Sequence, residues 1–285
     1  MLVSLVIQVK PVKEGTLPAI TGPALHAVFF HWLEAIDPTL TTELHDLKGL
    51  KPFTVSNLQP GDSLTIEDVF APSRELVLKP EQLYWFRLTS LDQRLSELLL
   101  NRFYEQPPAT FDILKRLFKV QKVIAEQAEH PWANITSWQG LVQHDLFSEK
   151  SQTTSLKSKV KLIFYSPTTF KAIERVLPIP LPQQTFTSLA NRWNTFSPVP
   201  LDPDFFNYLV EEVTISSYQL QTELALLGGS KQGARMICFR GWCEYIAFGK
   251  ESEWFSALRM LGHFAFFCGI GYKTGMGFGQ TLAYD

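Results

Sequence analysis

Between Gly269 and Gly279, five of the eleven residues are glycine, against roughly 7% in an average protein. Glycine lacks a Cβ, so this segment takes up backbone conformations closed to other residues and lets another stretch of chain approach closely. Two readings are open. The run is either a structural turn between a helix and a final strand, Gln280 to Tyr284, or a clamp that presents bare N–H groups to an anion. For the clamp, Lys273 stands at the centre and Phe278 offers a flat face. Residue order excludes two common glycine motifs. The dinucleotide fingerprint needs glycine where Thr274 stands. The phosphate loop of NTPases needs Gly-Lys-Ser/Thr, and Lys273 follows Tyr272.

At 285 residues, with 45% hydrophobic and 19% charged side chains, the chain has the length and composition of one or two globular domains. Its net charge of −2 argues against a generally basic nucleic-acid binder. Any such site must be a local basic patch. The three cysteines, Cys238, Cys243 and Cys268, form no Cys-x-x-Cys pair and suggest neither a disulfide framework nor a zinc site. Met1 to Lys10 lacks a basic n-region and a small-residue cleavage site. The apolar stretch Ala257 to Ile270 carries Arg259 and His263 and is too short to span a bilayer. A cytoplasmic protein without membrane contact is expected.

Periodicity predicts a first strand over Leu2 to Val9. Thr21 and Pro23 then mark a helix start, and Leu25, Val28, Phe29, Trp32, Leu33 and Ile36 recur at helical spacing. A short helix over Pro38 to Leu47 follows. Strands are expected over Phe53 to Leu58 and Leu83 to Thr89, a helix over Leu91 to Tyr104, and one long strand over Ile113 to Ala125. The polar segment Ser148 to Ser158 has linker composition. It divides an expected domain 1–147 from an expected domain 158–285. The second half reads as a strand over Val160 to Tyr165, a helix over Thr187 to Thr195, paired strands over Val213 to Leu227 and Met236 to Phe248, a helix over Glu251 to Phe267, and the last strand. The class is α+β, with two tandem ferredoxin-like (RRM-like) βαββαβ domains, a fold used by RNA-binding modules.

His45 lies just off an apolar helix stripe, and Lys51 follows six residues later. Imidazole exchanges a proton near neutral pH, and a nearby ammonium stabilises developing phosphate charge. A surface histidine beside an exposed lysine is the alternative. His31 lies on the polar side of the first helix and carries the same ambiguity. Lys157, Lys159 and Lys161 alternate along one predicted strand, which puts three positive charges on one face. Lys231 and Arg235 flank the predicted hairpin turn.

Taken together, these residues resemble the CRISPR-associated repeat-processing endoribonucleases, a family within the repeat-associated RNA-binding superfamily. The family's C-terminal motif is Gly-x-Gly, a variable stretch with a basic residue, then Gly-Phe-Gly. It stands here as Gly269-Ile-Gly271, Lys273 and Gly277-Phe-Gly279, with Gly275 between. Asp37 to Thr54 resembles the segment after the family's first helix. In members with a Tyr, His and Lys catalytic set, the His falls on His45, the Lys on Lys51 and the Tyr on Phe30. That departure leaves the third role to His31 or to a group from the second domain.

The resemblance implies two ferredoxin-like domains and cleavage of precursor CRISPR RNA within its repeats, without a metal or cofactor. The ribose 2′-OH attacks the adjacent phosphate, leaving a 2′,3′-cyclic phosphate and a 5′-OH. His45 acts as general base or acid, and Lys51 stabilises the transition state. The glycine loop, Lys157, Lys159, Lys161, Lys231 and Arg235 hold repeat RNA. The implied partners are that RNA and a CRISPR effector complex, with the chain as monomer or homodimer. A non-catalytic RNA-binding subunit of such a complex is the alternative. A metal-dependent nuclease has no Asp, Glu and His cluster at ligand spacing to support it.

Overall fold

The computed structural model describes the chain except for residues 62–63, 71–73, 147–157, 173–174, 228–234, 249–251 and 285. The first half runs β1 (Leu2–Pro11), β2 (Gly15–Pro18), α1 (Gly22–Ile36), α2 (Pro38–Asp46), β3 (Phe53–Val55), β4 (Gln59–Pro60), α3 (Ile66–Phe70), β5 (Glu75–Leu78), β6 (Tyr84–Ser90), α4 (Gln93–Leu98), β7 (Thr110–Ile113), β8 (Arg116–Ile124), β9 (Asn134–Thr136) and α5 (Trp138–Leu146). The second runs β10 (Ser158–Thr168), β11 (Phe170–Ala172), β12 (Arg175–Leu177), α6 (Pro182–Phe196), α7 (Asp204–Glu211), β13 (Val213–Leu226), β14 (Arg235–Ala247), α8 (Ser252–Cys268) and β15 (Thr281–Tyr284).

Two large antiparallel sheets result, beside the two-stranded pairs β2–β5 and β11–β12. The first has the order β3-β6-β1-β8-β7 and the second β13-β14-β10-β15. With β7 set aside, both share one pattern: the first strand of the unit lies between the last and the third, with the second outermost. That is the ferredoxin-like arrangement, present twice.

Both faces of β1 are buried. Val3, Leu5, Ile7 and Val9 pack with Leu25, Phe29 and Leu33 of α1, while Leu2 and Val6 join the core of the second half. β6 behaves alike. Tyr84, Phe86 and Leu88 face α1, whereas Trp85 turns the other way. Arg87 donates to the Phe266 carbonyl at 2.9 Å and Thr89 to the Phe267 carbonyl at 2.6 Å. The second face of the first sheet is therefore closed by α8, and one apolar core runs through both halves. Near-continuous apolar sequence in β1 follows from this two-sided burial.

Several expected elements take a different form. The strand expected over Ile113 to Ala125 is present as β8 but starts at Arg116, where a hairpin turn joins it to β7. The turn lies at Leu114 and Lys115, whose φ values are 50° and 65°. The Lys115 N–H donates to Asp112 Oδ1 at 2.6 Å, which holds this turn without glycine. The helix expected over Leu91 to Tyr104 is α-helical only to Leu98 and continues as a π-helical turn over Leu99–Tyr104. Thr21 does not cap α1 through its side chain. Its hydroxyl instead accepts from the Leu58 N–H at 2.7 Å, tying the helix entry to the end of the β3 segment. The expected linker falls mostly on residues outside those described. No helix among the described residues is long and apolar enough to cross a membrane.

Candidate active site

The glycine loop leaves α8 and lies in the seam between the halves. From the second half, Ile270 N–H bonds the Gly279 carbonyl at 2.9 Å, and Tyr272 N–H bonds that of Thr169 at 2.8 Å. Arg192 of α6, which is buried, donates to the Gly271 carbonyl at 2.8 Å. From the first half, Asn57 grips both sides of the seam. Its Nδ2 donates to the Gly277 carbonyl at 2.7 Å, and its Oδ1 accepts from the Gly22 N–H at 2.8 Å.

This seat explains the glycines. Gly277 has φ +88°, and a Cβ there would lie 2.4 Å from Asn57 Oδ1. At Gly22, the start of α1, a Cβ would lie 2.2 Å from the Met276 carbonyl oxygen. The close approach is between two parts of the protein itself.

Two expectations for the loop are corrected. Phe278 is 2% exposed and packs with Ala225, Leu227, Met236 and Cys238, so its face anchors the loop and is closed to a stacking base. The N–H groups of Gly269, Ile270, Gly271, Tyr272, Met276, Gly279 and Gln280 are all bonded within the protein, so the two ends of the loop offer no bare donors to an anion. What the loop does offer is Lys273. It is half-buried in the left-handed conformation, with its ammonium 5.3 Å from the Tyr272 ring centre and in no ion pair among the described residues.

His45 sits in the last turn of α2, which Asp37 caps at its start by accepting from the Leu40 N–H at 2.9 Å. The His45 side chain is 76% exposed, with Nδ1 3.2 Å from Asp46 Oδ1. Lys51 turns back onto the end of this helix. Its ammonium donates to the carbonyls of Leu44 and Leu47, each at 2.6 Å, and of His45 at 3.1 Å. A cation closing a helix C-terminus neutralises carbonyls that have no partner in the helix. Lys51, expected to stabilise the transition state, directs its ammonium onto the carbonyls at the end of α2.

Phe30 lies where the family's Tyr would fall. Its ring centre is 6.0 Å from that of His45, edge-on, and 4.8 Å from that of His26. The two imidazoles thus lie against one phenyl ring. His26 is a residue that the sequence reading passed over. It is one helical turn before Phe30 and on the same face. Its Nδ1 lies 2.8 Å from the Gly275 carbonyl oxygen of the loop. Burial holds its pKa below the ordinary value of 6.5, against the raising effect of that hydrogen bond, and the nearby Lys51, His45 and Lys273 push it further down. The i, i+4 relation to the aligned Tyr position was the available signal.

His31 does not join this group. It lines an apolar groove with Ala27, Val28, Pro108 and Thr110 on another side of α1. Lys159 and Lys161 do share a strand face, but Lys159 pairs with Glu244 at 2.9 Å and Lys161 lies 4.2 Å over the Trp242 ring. Their neighbour Val160 faces α8, so the lysines lie on the far side of that sheet. Arg235 is exposed at the start of β14. Lys157 and Lys231 lie outside the described residues.

A second groove, of about 470 Å³, opens beside the loop. Leu50, Lys171, Gln183, Asn191, Gly271 and Tyr272 are among its walls, so it runs from the segment before Lys51 to α6.

Comparison with known proteins finds two family matches and several solved structures of the same fold. The family described as CRISPR Cas6 N-terminal domain matches residues 1–143, and that described as CRISPR-associated endoribonuclease Cas6 matches residues 162–281. A solved Cas6 product complex shares 25% identity and a TM-score of 0.78, with all of both chains covered. A second Cas6 product complex shares 26% identity and a TM-score of 0.72, covering 100% of this chain and 99% of that one. Thermus thermophilus Cas6 has the same fold at 24% identity and a TM-score of 0.70, covering 100% of this chain and 98% of its own. No curated protein sequence matches the chain. The two family matches together cover both sheets, the histidine-bearing helices and the glycine loop, and the chain belongs to the Cas6 family of CRISPR-associated endoribonucleases.

Proposed function

We propose that the chain cuts precursor CRISPR RNA within its repeats by internal attack of a ribose 2′-OH, with no metal ion in the chemistry. The first half, 1–147, carries the acid–base groups, and the second, 158–285, supplies the loop that closes the site. The observation that carries this reading is the pair of imidazoles that both lie against Phe30, with the Lys273 loop docked against one of them. Cleavage by an internal hydroxyl needs a proton removed from the nucleophile, a proton delivered to the leaving 5′-oxygen, and stabilisation of charge on the phosphate. Imidazole and ammonium supply all three. His45 is exposed enough to reach an RNA strand. Lys51 acts by fixing the helix end that carries His45. Lys273 is the cation left for phosphate, and the polar groove beside Gly271 carries the strand onward past Lys171. The product ends are a 2′,3′-cyclic phosphate and a 5′-OH.

A single substituted oligonucleotide tests this. Replacing the ribose before the scissile phosphate with deoxyribose removes the nucleophile and leaves almost all of the binding surface. The deoxy repeat is expected to bind, resist cutting and inhibit competitively, while the all-ribose repeat is cut in EDTA. Cutting of the deoxy substrate at the same site and a comparable rate would show that water is the nucleophile. An uncut all-ribose repeat would leave an RNA-binding protein only.

A further inference from the structure

We infer that His26 is the general base of the reaction, the group that takes the proton from the attacking 2′-OH while His45 protonates the leaving oxygen. The inference rests on the reading under Proposed function and assigns the role left open by Phe30.

The hydrogen bond to the loop fixes which nitrogen is available. A carbonyl oxygen can only accept, so at 2.8 Å from Gly275 O the His26 Nδ1 must carry a proton. In the neutral ring, Nε2 is then the unprotonated nitrogen. A backbone carbonyl that sets the tautomer in this way is a common means of orienting a histidine base. The environment keeps the ring neutral as well. It is partly buried, and the charged and titratable groups around it are Lys51 and His45 from the α2 end and Lys273 from the loop, all of which oppose a second proton. His45, by contrast, is open to solvent, where it can reach the leaving oxygen, with its Nδ1 3.2 Å from Asp46 Oδ1. The two rings are separated by at most the sum of their distances to Phe30, 4.8 and 6.0 Å. The phenyl ring that both touch has no hydroxyl to compete for either proton.

The step balances. His26 Nε2 accepts the 2′-OH proton as the 2′-oxygen bonds to phosphorus. The bond from phosphorus to the 5′-oxygen breaks, and that oxygen takes the proton from His45. No oxidant, reductant or added water takes part.

A base and a loop anchor predict different variants. In His26→Asn, the side-chain amide still donates to the Gly275 carbonyl but cannot titrate. Single-turnover cleavage of repeat RNA is measured for the wild type, His26→Asn, His26→Ala and His45→Ala across pH, with RNA affinity for each. Cleavage by His26→Asn is expected to fall by roughly 10²–10⁴-fold with affinity unchanged. The wild-type rate should decline on the acid side with a midpoint below the ordinary histidine value of about 6.5, and this limb should vanish in His26→Asn. With a 5′-bridging sulfur in place of the leaving oxygen, no leaving-group proton is needed. His45→Ala is then restored and His26→Asn is not. Wild-type rates in His26→Asn make His26 a loop anchor, and rescue of His26→Asn by sulfur makes it the acid; either overturns the assignment. An uncut repeat with the wild-type chain instead overturns the function on which it rests.

Discussion

Lys51 commits its ammonium to three carbonyls at the end of α2, and this separates its role from that of the neighbouring histidine. His45→Ala removes a largely exposed side chain that touches Phe30 and Asp46. Cleavage should slow by roughly 10²–10⁴-fold, with melting temperature and RNA affinity close to wild type. Lys51→Ala leaves carbonyls of Leu44, His45 and Leu47 without their donor. It should lose about 1–3 kcal/mol of stability and slow cleavage through misplacement of His45. Calorimetry and single-turnover rates on both variants test the distinction: a Lys51→Ala protein as stable as the wild type would return Lys51 to the phosphate. The sequence made His45 and Lys51 legible as a pair because six residues and one turn separate them. It could not show that the ammonium faces the helix. His26 was illegible for a related reason: its partner carbonyl is 249 residues away, and helical periodicity says nothing about what a helix face will meet.

At the level of elements, the glycine loop acts as a strap between the two halves. Gly277→Val places a branched side chain against Asn57 at φ +88°, so the loop must leave its seat. Thermal stability and RNA affinity should fall together. Lost affinity at unchanged stability would mean that the Gly277 backbone meets RNA and that Asn57 yields easily. The loop was plain in the sequence from glycine density and Lys273, and so were α1 and α2, whose starts are marked by Thr21-Gly22-Pro23 and Asp37-Pro38. The β7–β8 hairpin was not. Its two central residues have positive φ, a conformation normally signalled by Asn-Gly, yet they are Leu114 and Lys115. The short strands and α7 were missed because they are too brief to carry a period.

Across the whole molecule, the shared core decides how the chain unfolds. Trp85 and Trp132 belong to the first half but pack in one cluster with Tyr165, Phe266 and Phe264 of the second. Trp132 lies 5.8 Å from the Phe266 ring at an interplanar angle of 9°, and Arg87 is buried over both rings. Each large apolar side chain so buried contributes about 1.5–3 kcal/mol, which couples the halves strongly. Calorimetry should show one cooperative transition, with calorimetric and van't Hoff enthalpies in agreement. Two resolved peaks would show that the ferredoxin-like units unfold independently.

The contact between His26 and Gly275 also sets a clock on synthesis. A ribosome adds roughly 5–20 residues per second, so the 249 positions between these two residues take roughly 12–50 s to make. Through that interval the helix with its histidine has left the exit tunnel while the carbonyl that orients it does not yet exist. The strands of the first sheet and α1 are made early, but the outer face of that sheet waits for α8, and the imidazole waits for the loop. Nuclease competence is therefore acquired late in translation, and a polypeptide stalled before Gly275 is made would carry both histidines without a finished site.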